Sequence, residues 1–168
     1  SVLETLRQEG RIYVCSCSRK RIRALGRQTP ESGFSYDNHC RAATWDGGKY
    51  EGALRLRLDP QSCRFTDHTE TSHEVVVSKL FGDPIIKRRD GAYAYHFAST
   101  LDDEASGITD VVRGRDLVWS TPPQIAIRHL ACAHLENTQA ARIPTRLRCL
   151  ACYSRTKVVN IWSNARCQ

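Results

Sequence analysis

Three cysteines in the first 40 residues have the residue type and spacing of metal ligands. Cys15 and Cys17 are separated by one residue, and Cys40 follows after a loop that contains glycine, proline and serine. A tight turn can present two sulfurs to one ion, and a third sulfur with one oxygen or nitrogen donor completes the tetrahedron of zinc. Tyr36 and His39 are both candidates for that fourth donor. The alternative is a set of ordinary reduced cysteines, because a Cys-x-Cys pair alone is weak evidence for a metal.

A second candidate site lies in the segment 88–124, which interleaves aromatic, acidic, basic and turn-forming residues more densely than plain core does. We predict a strand over Ala92 to Thr100, a loop at the acidic pair that follows, and a second strand over Ile108 to Val112. The run Ser120-Thr121-Pro122 then predicts a helix start with proline in its first turn. This order places a charged loop between a strand and a helix.

Arg113 in that charged loop is a candidate receptor for a carboxylate. Arg113 and Arg115 would lie near the carboxyl end of a strand, where open α/β sheets usually bind ligands. A guanidinium meets a carboxylate through two parallel hydrogen bonds, so an amino acid or a phosphate group would fit. The competing interpretation is an ion pair between Arg113 and Asp110 or Asp116 that holds the loop closed.

The other segments predict short helices and antiparallel strands that would position both sites. The alternation of leucine and arginine from Ala53 to Leu58 predicts a strand with one solvent-exposed face. His68 and His73 are predicted to be solvent-facing loop residues, and a role as additional metal ligands is the alternative. We predict the end of a helix over residues 3–10, the start of another over residues 19–25, and strands at residues 12–14, 53–58, 64–67, 75–77 and 85–87.

The composition is that of a soluble globular protein, with 168 residues, 40% hydrophobic and 26% charged. No apolar run approaches the roughly 20 residues that span a bilayer, and no leader sequence is recognisable, so we expect a cytoplasmic monomer with no membrane association. The net charge of +7 favours an anionic partner, and nucleic acid is the obvious one. In a chain without a leader, eight cysteines indicate metal binding or free thiols rather than disulfides.

Two groups of motifs resemble one known family. The run RRDGAYAYHFA, followed by LDDEASGITDVVRGRDLVWSTPPQIAI, resembles the second half of the catalytic domain of class I glutamyl-tRNA synthetases. It is most similar to the glutamyl-Q tRNA(Asp) synthetases, and Cys15-x-Cys17 with Tyr36-x-x-x-Cys40 resembles their zinc-binding insertion. The resemblance covers about Leu3 to Ile127. It implies an α/β fold, namely the second half of a Rossmann-like class I catalytic domain with a zinc-binding insertion.

The same resemblance implies ligands, substrates and partners. Members of this family activate L-glutamate with ATP and transfer it to queuosine in the anticodon of tRNA(Asp). Matched position by position, the implied glutamate-binding residues are Tyr95 and Arg113, and the implied zinc ligands are Cys15, Cys17, Tyr36 and Cys40. No catalytic residue is assigned in the part of the family that this sequence matches.

The resemblance also implies a domain organisation and a set of alternatives. We expect a zinc-binding and connecting region at 1–70, the catalytic half at 71–131, and an unmatched tail at 132–168, frame-shifted or disordered, where Cys149 and Cys152 could bind a second zinc. The His-x-Gly-His and Lys-x-Ser-Lys signatures do not occur, so we expect a truncated chain that forms no adenylate by itself. The alternatives are a piece of an ordinary glutamyl-tRNA synthetase, or a non-catalytic, zinc-stabilised RNA-binding module.

Overall fold

A computed structural model describes residues 1–29, 33–66, 72–108, 111, 113–132 and 166–167 of the chain. The helices in these ranges are α1 (Val2–Gln8), α2 (Arg19–Leu25), α3 (Val77–Leu80), α4 (Tyr95–Ala105) and α5 (Thr121–Cys132), with a 3-10 helix at Arg115–Ser120. The strands are β1 (Ile12–Cys15), β2 (Gln28–Thr29), β3 (Gly33–Phe34), β4 (Ala53–Leu56), β5 (Ser62–Thr66), β6 (Ser72–Val76), β7 (Ile85–Lys87) and β8 (Arg166–Cys167). None of the helices so described is long and apolar enough to cross a membrane.

The strands form three small antiparallel sheets. The first sheet has the order β1-β4-β7, the second pairs β2 with β3, and the third has the order β6-β5-β8. In the first sheet Tyr13 lies opposite Arg55, and Val14 lies opposite Leu54. The antiparallel connection that the sequence predicts between the cysteines and the segment 88–124 is therefore confirmed, with β4 at its centre.

The two faces of the β1-β4-β7 sheet are buried by different parts of the chain. Successive side chains of a strand point to opposite faces. Leu54 and Leu56 of β4 join the main apolar core, together with Phe97 of α4 and Ile127 of α5. On the opposite face a smaller cluster forms around Tyr13, Cys15 and Tyr36, packed against Cys17, Ile22 and Cys40. The sheet therefore separates α4 and α5 from the cysteine loop.

Several local predictions are confirmed because their signals act within a few residues. The Ser18 side chain caps α2 by accepting a hydrogen bond from the Arg21 backbone N–H at 3.1 Å. The first helix ends before Gly10, which has the left-handed φ of 68° that glycine adopts at low cost. The helix α5 begins at Thr121 with proline in its first turn, as predicted.

The strand that we predicted over Ala92 to Thr100 is wrong, because α4 occupies most of this run. Strand-like pairing extends only to Tyr93, which bridges to Lys87 of β7. From Tyr95 onward the buried side chains are Phe97 and Thr100, three residues apart, which is the spacing of one helix face. The predicted loop at Asp102-Asp103 is wrong for the same reason, since both residues lie within the helix.

Two further predictions of solvent exposure are wrong. The arginine face of β4 is covered, and Arg55 is only 5% exposed. His73 lies in β6, where its ring stacks on Phe65 at 4.7 Å and meets Trp119 edge-on at 5.7 Å. An alternation of apolar and polar residues shows which side chains share a face of a strand. The packing of distant segments decides whether that face is exposed to solvent.

Some predictions fall outside the described residues. These are the interior of the strand predicted over Ile108 to Val112, His68, and the possible second zinc site at Cys149 and Cys152. Ile108 and Val111, which the structure does describe, belong to no strand. In the predicted tail, Arg166–Cys167 forms β8 and pairs with β5.

Candidate metal centre and arginine pocket

The three predicted metal-binding cysteines come together where β1 ends. Cys15 is the last residue of β1 and is buried, Cys17 lies in the turn before α2, and Cys40 returns from the loop beyond β3. Their Sγ atoms all lie within 4.8 Å of one another, and Cys17 and Cys40 are 3.5 Å apart. Zinc bound at about 2.3 Å from each sulfur in a tetrahedron would separate the sulfurs by about 3.8 Å. The expected sulfur–sulfur distance lies between the 3.5 Å from Cys17 to Cys40 and the 4.8 Å limit of the whole cluster.

Tyr36 supplies an oxygen to the same cluster. Its hydroxyl oxygen lies 3.3 Å from the Cys15 Sγ and 3.9 Å from the Cys17 Sγ. It also accepts a hydrogen bond from the Cys40 backbone N–H at 2.8 Å, which holds the ring against the loop. His39, the other candidate, is exposed and stands outside the cluster. The donor set that the structure assembles is therefore three sulfurs and one phenol oxygen, which fits zinc.

The electrostatics of the cluster depend on burial and on the bonds between its members. Burial, together with the hydrogen bond to Cys40, raises the pKa of the Cys17 thiol to about 11. Burial also opposes ionisation of Cys40, but hydrogen bonds from Tyr36 and Cys17 outweigh it and lower the pKa of the Cys40 thiol to about 7. The Arg21 Nη1 lies 3.5 Å from the Cys17 Sγ, so a cation borders the sulfurs.

A buried polar network around Asp83 supports the loop that contains Cys40. The carboxylate of Asp83, in the Gly-Asp-Pro turn before β7, accepts hydrogen bonds from the Tyr13 hydroxyl at 3.0 Å and from the Leu58 backbone N–H at 2.9 Å. It also pairs with Arg41, the residue after Cys40. Sequence reasoning missed Asp83 and Arg41, although arginine directly after a candidate ligand was an available signal. The network joins the metal-ligand loop to the central sheet.

Arg113 lies in a partly buried position against α5. Its Nη2 donates a hydrogen bond to the Gln124 Oε1 at 2.7 Å, and the Gln124 Nε2 donates to the Ser99 Oγ of α4 at 2.8 Å. Burial lowers the pKa of the Arg113 guanidinium. Within the described part of the chain, no carboxylate lies within ion-pair distance of Arg113. Sequence reasoning missed Gln124, whose buried side chain sets the direction of Arg113.

Tyr95 lies near Arg113 but differs from it in exposure. It begins α4 and is 73% exposed, and its charge interaction with Arg113 opposes the lowering of the arginine pKa. The predicted ion pairs of Arg113 with Asp110 or Asp116 involve side chains outside the described set. The two predicted glutamate-binding residues are thus close enough for a charge interaction.

Comparison with known proteins identifies the class to which this fold and these sites belong. Residues 1–147 match the family model of the class I tRNA synthetases (E and Q), catalytic domain, and the chain belongs to this family. The glutamate–tRNA synthetase of Elizabethkingia anophelis superposes with a TM-score of 0.56 at 18% identity, covering 77% of this chain and 30% of that one. The fold class expected from the sequence is confirmed.

The similar curated proteins carry a more particular name. The glutamyl-Q tRNA(Asp) synthetase of Pseudomonas aeruginosa is 39% identical over 132 residues, which is 77% of this chain and 41% of that protein. The glutamyl-Q tRNA(Asp) synthetase of Chromobacterium violaceum is 39% identical over 127 residues, which is 76% of this chain and 42% of that protein. The chain thus spans about two fifths of the length of these relatives. The recognition made from sequence is confirmed, and the domain boundaries remain predictions.

Proposed function

We propose that this chain provides the zinc-binding insertion and part of the glutamate pocket of an enzyme that attaches glutamate to tRNA. The convergence of three sulfurs and the Tyr36 hydroxyl carries this proposal, because the four donors come from two separate segments and meet in one partly buried cluster. The relatives named glutamyl-Q tRNA(Asp) synthetase support queuosine of tRNA(Asp) as the acceptor. An ordinary glutamyl-tRNA synthetase activity is the alternative.

The metal has a structural role in this proposal. Cys15, Cys17, Tyr36 and Cys40 would supply four protein donors, which leaves no open position for water or substrate. Bound zinc would tie the end of β1 to the loop that contains Cys40, beside Ser16, whose backbone carbonyl accepts a hydrogen bond from Arg89 at 3.4 Å. A closed site of this kind contributes to folding rather than to chemistry.

Arg113 and Tyr95 would receive the substrate glutamate. A partly buried guanidinium that is held by the neutral amide of Gln124 keeps its positive charge for a ligand. A carboxylate of glutamate would accept hydrogen bonds from Arg113, and the exposed Tyr95 hydroxyl would add a further donor or acceptor. In the complete reaction a carboxylate of glutamate attacks the α-phosphate of ATP, which releases pyrophosphate. Transfer of the glutamyl group to a hydroxyl of the tRNA then releases AMP.

Elemental analysis of the purified, reduced chain tests the metal centre. We expect one zinc per wild-type chain and none in Cys40→Ser, because the variant loses one of the three soft sulfur ligands. Cys63→Ala is the matched control, since Cys63 is a buried cysteine of β5 that lies outside the cluster. Folded wild-type chain without zinc would contradict the proposed centre.

Nuclear magnetic resonance titration with isotope-labelled glutamate tests the pocket without requiring turnover. We expect saturable binding to the wild-type chain and its loss in Arg113→Leu, because the carboxylate loses its guanidinium partner. Arg64→Leu is the control, since Arg64 is exposed and pairs with Glu74 on the third sheet. Equal binding by wild type and Arg113→Leu would contradict the assignment. Glutamate-dependent ATP–pyrophosphate exchange by this chain alone would contradict the expectation that it forms no adenylate.

A further inference from the structure

Arg55 occupies an unusual position for an arginine on the central strand of a sheet. Its side chain lies on the face of β4 opposite the apolar core, yet the residue is only 5% exposed. The guanidinium carbon lies 3.6 Å from the centre of the Tyr36 ring, so the two planar groups are in contact. Its Nη1 donates a hydrogen bond to the Asp83 backbone carbonyl, which fixes the far edge of the guanidinium.

The ring that Arg55 covers belongs to the candidate metal centre. Tyr36 is buried, with the guanidinium over its ring face and its hydroxyl 3.3 Å from the Cys15 Sγ. A cation over an aromatic face is attracted by the negative charge of that face, and the attraction increases when water is excluded. The stacked guanidinium therefore limits rotation and tilt of the ring, and these motions would move the hydroxyl away from the sulfurs.

The charge of the centre gives Arg55 a second role. A zinc ion with three thiolates carries a net charge of −1, and such a charge is costly to bury without a compensating cation. Arg21 lies beside Cys17, with 3.5 Å between its Nη1 and the Cys17 Sγ. Arg55 approaches from the sheet side, through the Tyr36 ring. Arg21 thus lies beside a sulfur of the cluster, and Arg55 lies on the ring of its oxygen donor.

We propose that Arg55 is a positioning residue of the metal centre, which holds the Tyr36 hydroxyl in the fourth ligand position and offsets the negative charge of the three sulfurs. The inference rests on the proposed zinc binding. It assigns a role to an arginine that follows Cys17 by 38 residues and Cys40 by 15 in the chain, and that acts through the ring of the oxygen donor. Residues that orient metal ligands in this way typically change metal affinity by about 10- to 100-fold when they are replaced.

Arg57 on the same strand provides the matched control. It also lies over a tyrosine, at 5.1 Å from the ring centre of Tyr13, and its guanidinium donates to backbone carbonyls of Arg41 and Ala43. The Tyr13 hydroxyl, however, bonds to Asp83 and not to a sulfur. Substitution of Arg57 therefore reports the effect of losing a structural arginine beside the loop.

The test compares Arg55→Gln with Arg57→Gln in the whole chain, loaded with Zn²⁺ or Co²⁺. Competition against a chromophoric chelator should show zinc affinity lowered by about 10- to 100-fold in Arg55→Gln and by less than threefold in Arg57→Gln. Arg55→Lys should recover only part of the affinity, because it restores the cation but not the planar group that stacks on Tyr36. Tyr36→Phe serves as the reference for loss of the oxygen ligand.

Cobalt spectra separate positioning from general destabilisation. The sulfur-to-cobalt charge-transfer intensity should stay at the three-thiolate level in Arg55→Gln, whereas the d–d bands should move toward those of Tyr36→Phe as the hydroxyl leaves the metal. Arg57→Gln should keep the wild-type bands. Should Arg55→Gln fail to fold, Arg55→Lys decides, because its ammonium lacks the planar face that stacks on the ring, and its d–d bands should move part of the way.

The outcomes distinguish this inference from the proposed function. Wild-type chain that binds neither ion refutes the metal centre and the role of Arg55 together. Wild-type chain that binds both ions, with affinity and d–d bands unchanged by substitution of Arg55, refutes only the positioning role. Equal effects of Arg55→Gln and Arg57→Gln on both readouts also overturn it, because they would show a structural contribution alone.

Discussion

Replacement of Asp83 by asparagine tests the buried network beneath the cysteine loop. The Asp83 carboxylate is fully buried, and it accepts hydrogen bonds from the Tyr13 hydroxyl and the Leu58 backbone N–H. It also pairs with Arg41, whose side chain is 34% exposed. Asparagine keeps the shape and one acceptor oxygen, but it removes the charge and turns an NH2 group toward a donor. One hydrogen bond is lost and one buried donor is left without an acceptor.

We expect Asp83→Asn to lower the free energy of unfolding by about 2–4 kcal/mol. Hydrogen bonds to a charged group contribute about 1.5–3 kcal/mol each, and loss of one member of a buried ion pair costs about 3–5 kcal/mol. The lower part of that range applies, because water can solvate the exposed third of Arg41 once its partner is neutral. The remaining amide oxygen of the variant preserves one bond.

Urea denaturation under reducing conditions, followed by tryptophan fluorescence and by circular dichroism, measures this loss when the two transitions coincide. Asp59→Asn is the control, because it removes the Arg11–Asp59 ion pair, in which the side chains are 31% and 41% exposed. A surface pair of this kind contributes about 0–1 kcal/mol. A loss below 1 kcal/mol for Asp83→Asn, or equal losses for both variants, would refute the reasoning.

Three further predictions concern the turn beside Tyr36, the arginine pocket and the metal. Gly82→Ala should lower the free energy of unfolding, measured in urea, more than Gly91→Ala does. Both glycines have positive φ, but a Cβ at Gly82 would lie 2.2 Å from the Tyr36 backbone oxygen, whereas a Cβ at Gly91 would meet no atom within 4 Å. Gln124→Leu should weaken glutamate binding about tenfold in the magnetic resonance titration, because Arg113 loses the bond that directs it. Zinc at about 1,000 times its dissociation constant should stabilise the wild-type chain by about 4 kcal/mol in calorimetry, and Cys40→Ser should lose this gain.

Each of these predictions has a contradicting result. Equal destabilisation by the two glycine substitutions would show that the close approach at Gly82 relaxes without cost. Unchanged glutamate affinity in Gln124→Leu would show that Arg113 does not depend on the amide for its direction. A melting temperature that responds equally to zinc in wild type and Cys40→Ser would place the metal elsewhere in the chain.

The local elements were predictable because their signals lie within one turn or one strand. The serine before α2 pairs with a backbone donor, the proline at the start of α5 lacks one, and the glycine after α1 adopts the left-handed conformation that ends a helix. The alternation in Ala53 to Leu58 correctly separated the two faces of β4. The family, too, was recognisable from sequence, because its motifs are contiguous runs of residues.

The helix α4 was not predictable from the pattern that we used. Tyrosine, histidine and phenylalanine are common in strands, and the run Ala92 to Thr100 offers no obvious capping residue. Phe97 and Thr100 become a buried pair only because α5 and β7 pack against one side of this segment. Tertiary packing overrides local propensity here, as it commonly does.

The sequence by itself determined the kind of chemistry, because soft sulfur ligands at Cys15, Cys17 and Cys40 and a guanidinium at Arg113 are properties of residue type. It left both Tyr36 and His39 as possible fourth donors. Only the tertiary structure decided between them, and only it buried Arg55 against the chosen ring. The physical reason is distance along the chain. Cys17 precedes Cys40 by 23 residues, and Cys40 precedes Arg55 by 15, so these segments must pack together before an aromatic face, a cation and three sulfurs can share one site.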